Sequence, residues 1–156
     1  MTESDAHDIG TVVALQDRIK KAATPLLEPG ETIEVATVAA VGKVSAKRQI
    51  ATAAVTAILT AGTVTAVAYA KKRPTVLTNR RLLFLDANEL TGRPQEKLVG
   101  AIGREGLRAR RQRGLLWLKY DLIDNTGAAV VRLSFPVPGR KAGNQIAEAL
   151  GILGSA

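Results

Sequence analysis

Val12, Leu15, Ile19, Ala22 and Leu26 recur every three or four positions, the period of a helix that buries a single stripe. The spacing predicts a helix over residues 11–27, with Asp17 and Lys21 paired on its outer face and Pro25 and the turn "EPGE", residues 28–31, ending it. Residues 1–10 are polar and small and predict a flexible tail. Beyond the turn the period shortens to two. Residues 31–41, "ETIEVATVAAV", alternate loosely and are rich in β-branched side chains, so they predict a strand closed by Gly42. After Pro74 come six short runs: "TVLTN", "RRLLFLDA", "QEKLVGAI", "LRARRQR", "LLWLKYDLID" and "AVVRLSF". Asn88, Gly92, Gly106, Gly114 and residues 125–127 separate them, which predicts an antiparallel meander. In the fifth run Leu116, Leu118, Tyr120 and Leu122 share one face, while Trp117, Lys119, Asp121 and Ile123 share the other. Strands this short and this numerous curl into a barrel or sandwich. The closing run "PGRKAGNQIAEALGIL" predicts a capping helix with Ile146, Leu150 and Leu153 on its buried stripe and Arg140, Lys141 and Glu148 outside.

Between the first strand and the meander, residues 50–70 carry no charge, with Lys43, Lys47 and Arg48 before them and Lys71, Lys72 and Arg73 after. Twenty-one uncharged residues are enough to cross a bilayer, and a single-pass membrane protein through this run is one alternative. Eight Ala and five Thr argue against it, because only Ile50, Val55, Ile58, Leu59, Val64 and Val67 are strongly apolar. At a helix centre those six contribute roughly −2 to −4 kcal/mol, which the threonines and Gly62 erode. The run therefore divides into a helix over about residues 45–61 and a strand over about residues 63–71. Bases at both ends give no preferred orientation across a membrane.

The stretch "VLTNRRLLFLD", residues 76–86, resembles the signature hairpin of bacterial pleckstrin-homology-like (PH-like) domains: a strand, a Thr-Asn-Arg-Arg turn and an apolar strand. Asn79 suits the left-handed backbone of such a turn, and Leu82 and Phe84 then face opposite to Leu83 and Leu85. The order of the remaining runs over residues 31–153 fits the same plan. The resemblance implies a mainly β fold with helices: a PH-like seven-strand antiparallel barrel or sandwich capped by a C-terminal helix. Here an N-terminal helix precedes it and a helical insertion separates its first two strands. It also implies a binding scaffold, often near membranes and sometimes oligomeric, and not an enzyme.

Charge sharpens the choice of partner. Residues 1–42 hold seven acids and three bases, whereas residues 43–156 hold seven acids and nineteen bases. A field so concentrated favours an anionic partner. Six bases flanking the Ala/Thr segment, Lys43, Lys47, Arg48, Lys71, Lys72 and Arg73, form the candidate lipid- or anion-binding set, since each base near an anionic leaflet contributes up to ~1 kcal/mol. Arg108, Arg110, Arg111 and Arg113 form the alternative, a nucleic-acid-binding basic domain, with few aromatics interleaved for base stacking. A protein partner or homo-oligomer is the remaining reading, for which small side chains on the Ala/Thr helix allow close packing.

Candidate chemistry is sparse. The chain has no cysteine, one histidine, His7, and four serines, Ser4, Ser45, Ser134 and Ser155. It has neither a phosphate-cradling GxxxxGK[ST] nor a GxGxxG, and the acid pairs Asp86 with Glu89 and Asp121 with Asp124 fall at expected strand ends and turns. No enzymatic activity, cofactor or metal is expected. The acidic N-terminus is unlike a secretory signal, and cysteine-free composition fits a reducing compartment, so the expected location is cytoplasmic, peripheral at the inner face of the cell membrane where a lipid surface is the partner.

Overall fold

A computed structural model describes residues 3–42 and 71–154. The Ala/Thr insertion, with its expected helix over residues 45–61 and most of the strand expected after it, lies outside them. The first helix, α1 (Glu3–Ala23), begins eight residues before its expected start and takes in most of the expected tail. A short 3-10 turn, Thr24–Leu26, follows it with Pro25 inside. The strands are β1 (Ile33–Gly42), β2 (Lys71–Thr78), β3 (Arg81–Ala87), β4 (Pro94–Gly103), β5 (Arg108–Gln112), β6 (Leu118–Ile123) and β7 (Ala129–Phe135). After a second 3-10 turn, Val137–Gly139, come helix α2 (Arg140–Leu150) and the two-residue strand β8 (Ile152–Leu153).

The protein is mainly β. Its eight strands form one sheet in the order β4-β3-β2-β1-β7-β6-β5-β8. All neighbours are antiparallel except β5 and β8, where Ala109 pairs with Ile152 and Arg110 with Leu153 in parallel. The sheet stays open, with β4 and β8 at its edges, where the expectation was a seven-strand antiparallel barrel or sandwich; an eighth strand and one parallel pair are the differences. Helix α2 packs against β1, β5 and β6. Its Ile146, Ala147 and Leu150 complete a core with Ala39, Leu77, Phe84, Ile102, Leu122 and Leu133, drawn from both halves of the sheet. Leu153 is not on that helical stripe. Gly151 takes φ 100°, a backbone that side-chain-bearing residues rarely adopt, and there the helix ends and the chain pairs with β5.

Helix α1 covers the other face of the first four strands. Ile19, Ala22 and Ala23 pack with Ala36, Val76, Leu83 and Leu85. This second core explains the unbroken apolar run of β3: Leu82 and Phe84 point into the first core, and Leu83 and Leu85 into the second. Pro74 sits within β2 one residue before its first pair with β3, Thr75 with Phe84, at the margin where a strand tolerates a missing donor.

The Thr-Asn-Arg-Arg turn clamps this hairpin to the turn before β1. Asn79 does not adopt the expected left-handed backbone, since no described residue other than glycine has a positive φ. Its side chain works instead as a bridge: Asn79 Oδ1 accepts from the Thr32 N–H at 2.9 Å, and its Nδ2 donates to the Gly30 carbonyl at 3.3 Å. Arg81 makes a two-pronged contact with Glu31, Nε to Oε2 at 3.0 Å and Nη2 to Oε1 at 2.7 Å. The Thr78 hydroxyl donates to Glu31 Oε2 at 2.6 Å and accepts from the Arg81 N–H at 2.9 Å. The motif that carries the family resemblance is thus a structural clasp.

Candidate anionic-surface site

Between β5 and β6 the chain runs "RGLLW", and the sheet does not hold it. β6 starts only at Leu118, so Leu116 does not share the core face of Leu118, Tyr120 and Leu122 as the alternation predicts. Leu115 is 99% exposed and Leu116 73%. Gly114 makes the projection possible: a Cβ there would lie 2.3 Å from the Trp117 carbonyl oxygen, so the two arms approach more closely than any other residue allows. Contacts from distant elements fix the tip. Arg140 Nη2, at the start of α2, donates to the Leu116 carbonyl at 2.9 Å. Lys72 Nζ, from β2, stands 5.6 Å from the centre of the Trp117 ring, within cation–π range.

Bases surround these apolar side chains. Arg111, Gln112, Arg113, Gly114 and Leu115 line one open cleft at the tip. The aliphatic stem of Lys119 flanks Gly114. Residues 106–120 contain five bases and no acid, and residues 136–141 add Arg140 and Lys141 without an acid, so the local field is not offset by neighbours in sequence. A second cleft, between α1 and β4, gathers Arg18, Lys21 and Arg93, but Glu96 shares its wall.

Of the predicted lipid set only Lys72 and Arg73 have described side chains, and these two part. Lys43, Lys47 and Arg48 lie outside the described residues. Lys71 is the first residue of β2. Lys72 reaches the tip through Trp117, whereas Arg73 turns inward and pairs with Asp86 at 3.1 Å, its side chain only 11% exposed. The alternative set also divides. Arg108 donates to the carbonyls of Leu107 at 3.1 Å and Leu150 at 3.3 Å, securing the end of α2. Arg110 is half-buried, and its Nε finds no acceptor among the described residues. Arg108, Arg111 and Arg113 are exposed, but of these Arg111 and Arg113 stand beside the tip, and strand alternation sets Arg111 opposite to Arg108 and Arg110.

Three of the four acids considered for chemistry have structural partners. Asp86 accepts from Arg73 and from the Ala87 N–H. Asp121 lies in the middle of β6 and not at a strand end; its carboxylate is fully buried and holds Arg132 through Nε at 2.6 Å and Nη2 at 3.2 Å. Asp124 folds the β6–β7 turn, accepting from the N–H groups of Thr126 and Ala128. His7 is within α1. Among the described residues no group of His, Asp or Glu side chains could hold a metal ion, and no helix is long and apolar enough to cross a membrane.

Sequence reasoning missed the tip because Leu115, Leu116 and Trp117 extend the alternation of β6 without a break. Gly114 directly before two leucines, after a run of arginines, is the signal that marks it. No protein-family model matches the chain, and a comparison with curated proteins finds no match.

Proposed function

We propose that this protein is a PH-like binding module that acts by association and not by catalysis, and that its partner is the anionic surface of a phospholipid membrane, contacted peripherally. The PH-like reading is supported by the strand order: β1 to β4 and β5 to β7 form two meanders joined through β1 and β7, with a C-terminal helix in the space they enclose. The observation that carries the functional reading is the gathering of Lys72, Arg111, Arg113, Lys119 and Arg140 around one tip whose own segment, residues 106–120, contains no acid. Each such base near an anionic leaflet contributes up to ~1 kcal/mol, so several acting together sustain reversible attachment without a span. Nucleic acid is less favoured, because Arg108 donates to the Leu107 and Leu150 carbonyls within the fold and few aromatics are interleaved with the arginines for stacking.

Co-sedimentation tests the proposal. The full chain should pellet with vesicles of equal parts phosphatidylcholine and phosphatidylglycerol, should stay in solution with phosphatidylcholine alone, and should be released by salt. Retention in the pellet after a carbonate wash would instead support a span through residues 50–70. No pelleting with either vesicle would refute the lipid reading and leave a protein partner or self-assembly.

A further inference from the structure

The attachment proposed above leaves Leu115 and Leu116 without a role, and neither is buried among the described residues. A pair of adjacent leucines, one of them almost wholly in water, is unfavourable in a protein that needs only a charged surface. The structure nevertheless spends specific contacts on presenting them: the close approach at Gly114, the Arg140 bond to the Leu116 carbonyl and the Lys72 contact with Trp117. Resting on the membrane reading, we propose that the β5–β6 tip is an insertion element: Leu115 and Leu116 enter the acyl region of an anionic leaflet, and Trp117 takes the interfacial level between hydrocarbon and headgroups.

Charge complementarity favours a bilayer over a protein groove. Arg111 and Arg113 precede the leucines on one arm, and Trp117 and Lys119 follow on the other, so an apolar apex is collared by bases on both sides. Leucines then reach the hydrocarbon while arginine and lysine stems extend toward phosphates, each group meeting the layer that suits it. Tryptophan belongs at that boundary because its ring is apolar and its indole N–H needs a polar partner. A protein groove would have to supply acids on both flanks of an apolar pocket, whereas an anionic bilayer presents that arrangement everywhere.

Trp117 is the only tryptophan in the chain, so its fluorescence reports on this tip alone. The experiment adds vesicles of equal parts phosphatidylcholine and phosphatidylglycerol, with and without brominated acyl chains, to the full-length wild type, Leu115→Gln/Leu116→Gln and Arg111→Gln/Arg113→Gln. For wild type the expected result is a blue-shifted emission and quenching by the brominated chains, neither of which occurs with phosphatidylcholine alone. Removing the leucines should weaken partitioning about tenfold per residue. Removing the arginines should weaken it about fivefold per residue, more at low salt. If wild type and the leucine variant bind equally and the emission does not move, insertion is overturned while peripheral attachment stands. If wild type does not bind anionic vesicles, both fail; self-association lost in the leucine variant would then assign the tip to a second copy of the chain.

Discussion

Neutralising Glu31 tests whether the clasp at the Thr-Asn-Arg-Arg turn holds the fold together. Its carboxylate is fully buried and receives both prongs of Arg81, the Thr78 hydroxyl and the Glu28 N–H at 2.9 Å. The Arg81 guanidinium, aided by Thr78 and Glu28 and opposed by burial, holds this carboxyl at about 2, below its ordinary 4.5. A difference of that size corresponds to about 3 kcal/mol favouring the ionised, folded state. Because the folded value is depressed, the contribution is complete above the unfolded value near 4.5 and disappears as pH falls through about 2. Glu31→Gln has no charge to titrate. Urea unfolding followed by far-UV circular dichroism should therefore show the variant about 3 kcal/mol less stable at pH 7, with the gap shrinking below pH 4.5 as wild type weakens. A gap that keeps its size between neutral pH and pH 2.5, or one well under ~1 kcal/mol at neutral pH, would refute the reasoning.

Four further outcomes follow from the packing. Gly143→Ala should destabilise by about 1–3 kcal/mol in thermal or urea unfolding, against the usual preference for alanine in a helix, because its Cβ would lie 2.5 Å from the Phe135 ring. Gly151→Ala should cost about 1–2 kcal/mol by the same measurement, since φ is 100° and the Arg108 side chain lies 3.0 Å from the new Cβ. Asp121→Asn should lower stability by about 3 kcal/mol, near the low end for a broken buried pair because Arg132 is 38% exposed and rehydrates. Leu115→Gln/Leu116→Gln should leave the unfolding midpoint within about 0.5 kcal/mol of wild type, as substitutions in open water do.

Periodicity carries as far as burial is one-sided. The α1 stripe, the opposed faces of β3 and the regular in-out pattern of β7 were legible because each places its apolar side chains at a fixed spacing against one or two cores. The earlier start of α1 was obscured by Gly10 and a polar opening, although acids at positions 3, 5 and 8 suit the first turns of a helix. Two-residue β8 has no period to read, and Gly151 followed by apolar residues looks the same whether the helix stops or continues. Long-range bonds were the least legible. Glu31 and Arg81 are fifty residues apart, and Arg108 reaches a carbonyl forty-two residues away. Within the candidate lipid set Arg73 was misplaced for a related reason: proximity in sequence to an uncharged run gave it a surface role, while strand alternation turned it toward Asp86.

These bonds also change what the net charge of +8 means for a partner. Arg73, Arg81 and Arg132 face acids within the fold, and Arg108 spends its donors on carbonyls. Arg104 likewise joins Glu34, the Thr78 carbonyl and the Ala149 carbonyl, tying the β4–β5 turn to β2 and the end of α2. Arginine suits these tasks because its planar fork satisfies several acceptors at once. Five of the twenty-two bases are therefore internal cross-links, which leaves the net charge unchanged but withdraws these guanidinium donors from direct contact with a partner. At the β5–β6 tip Arg111 and Arg113 line the open cleft, the segment of residues 106–120 holds five bases and no acid, and exposed apolar side chains stand beside them. At a surface of that kind attraction to phosphates brings the protein to an anionic leaflet and contact of the leucines with hydrocarbon adds to it, so affinity should depend both on the exposed bases and on whether the leucines leave water.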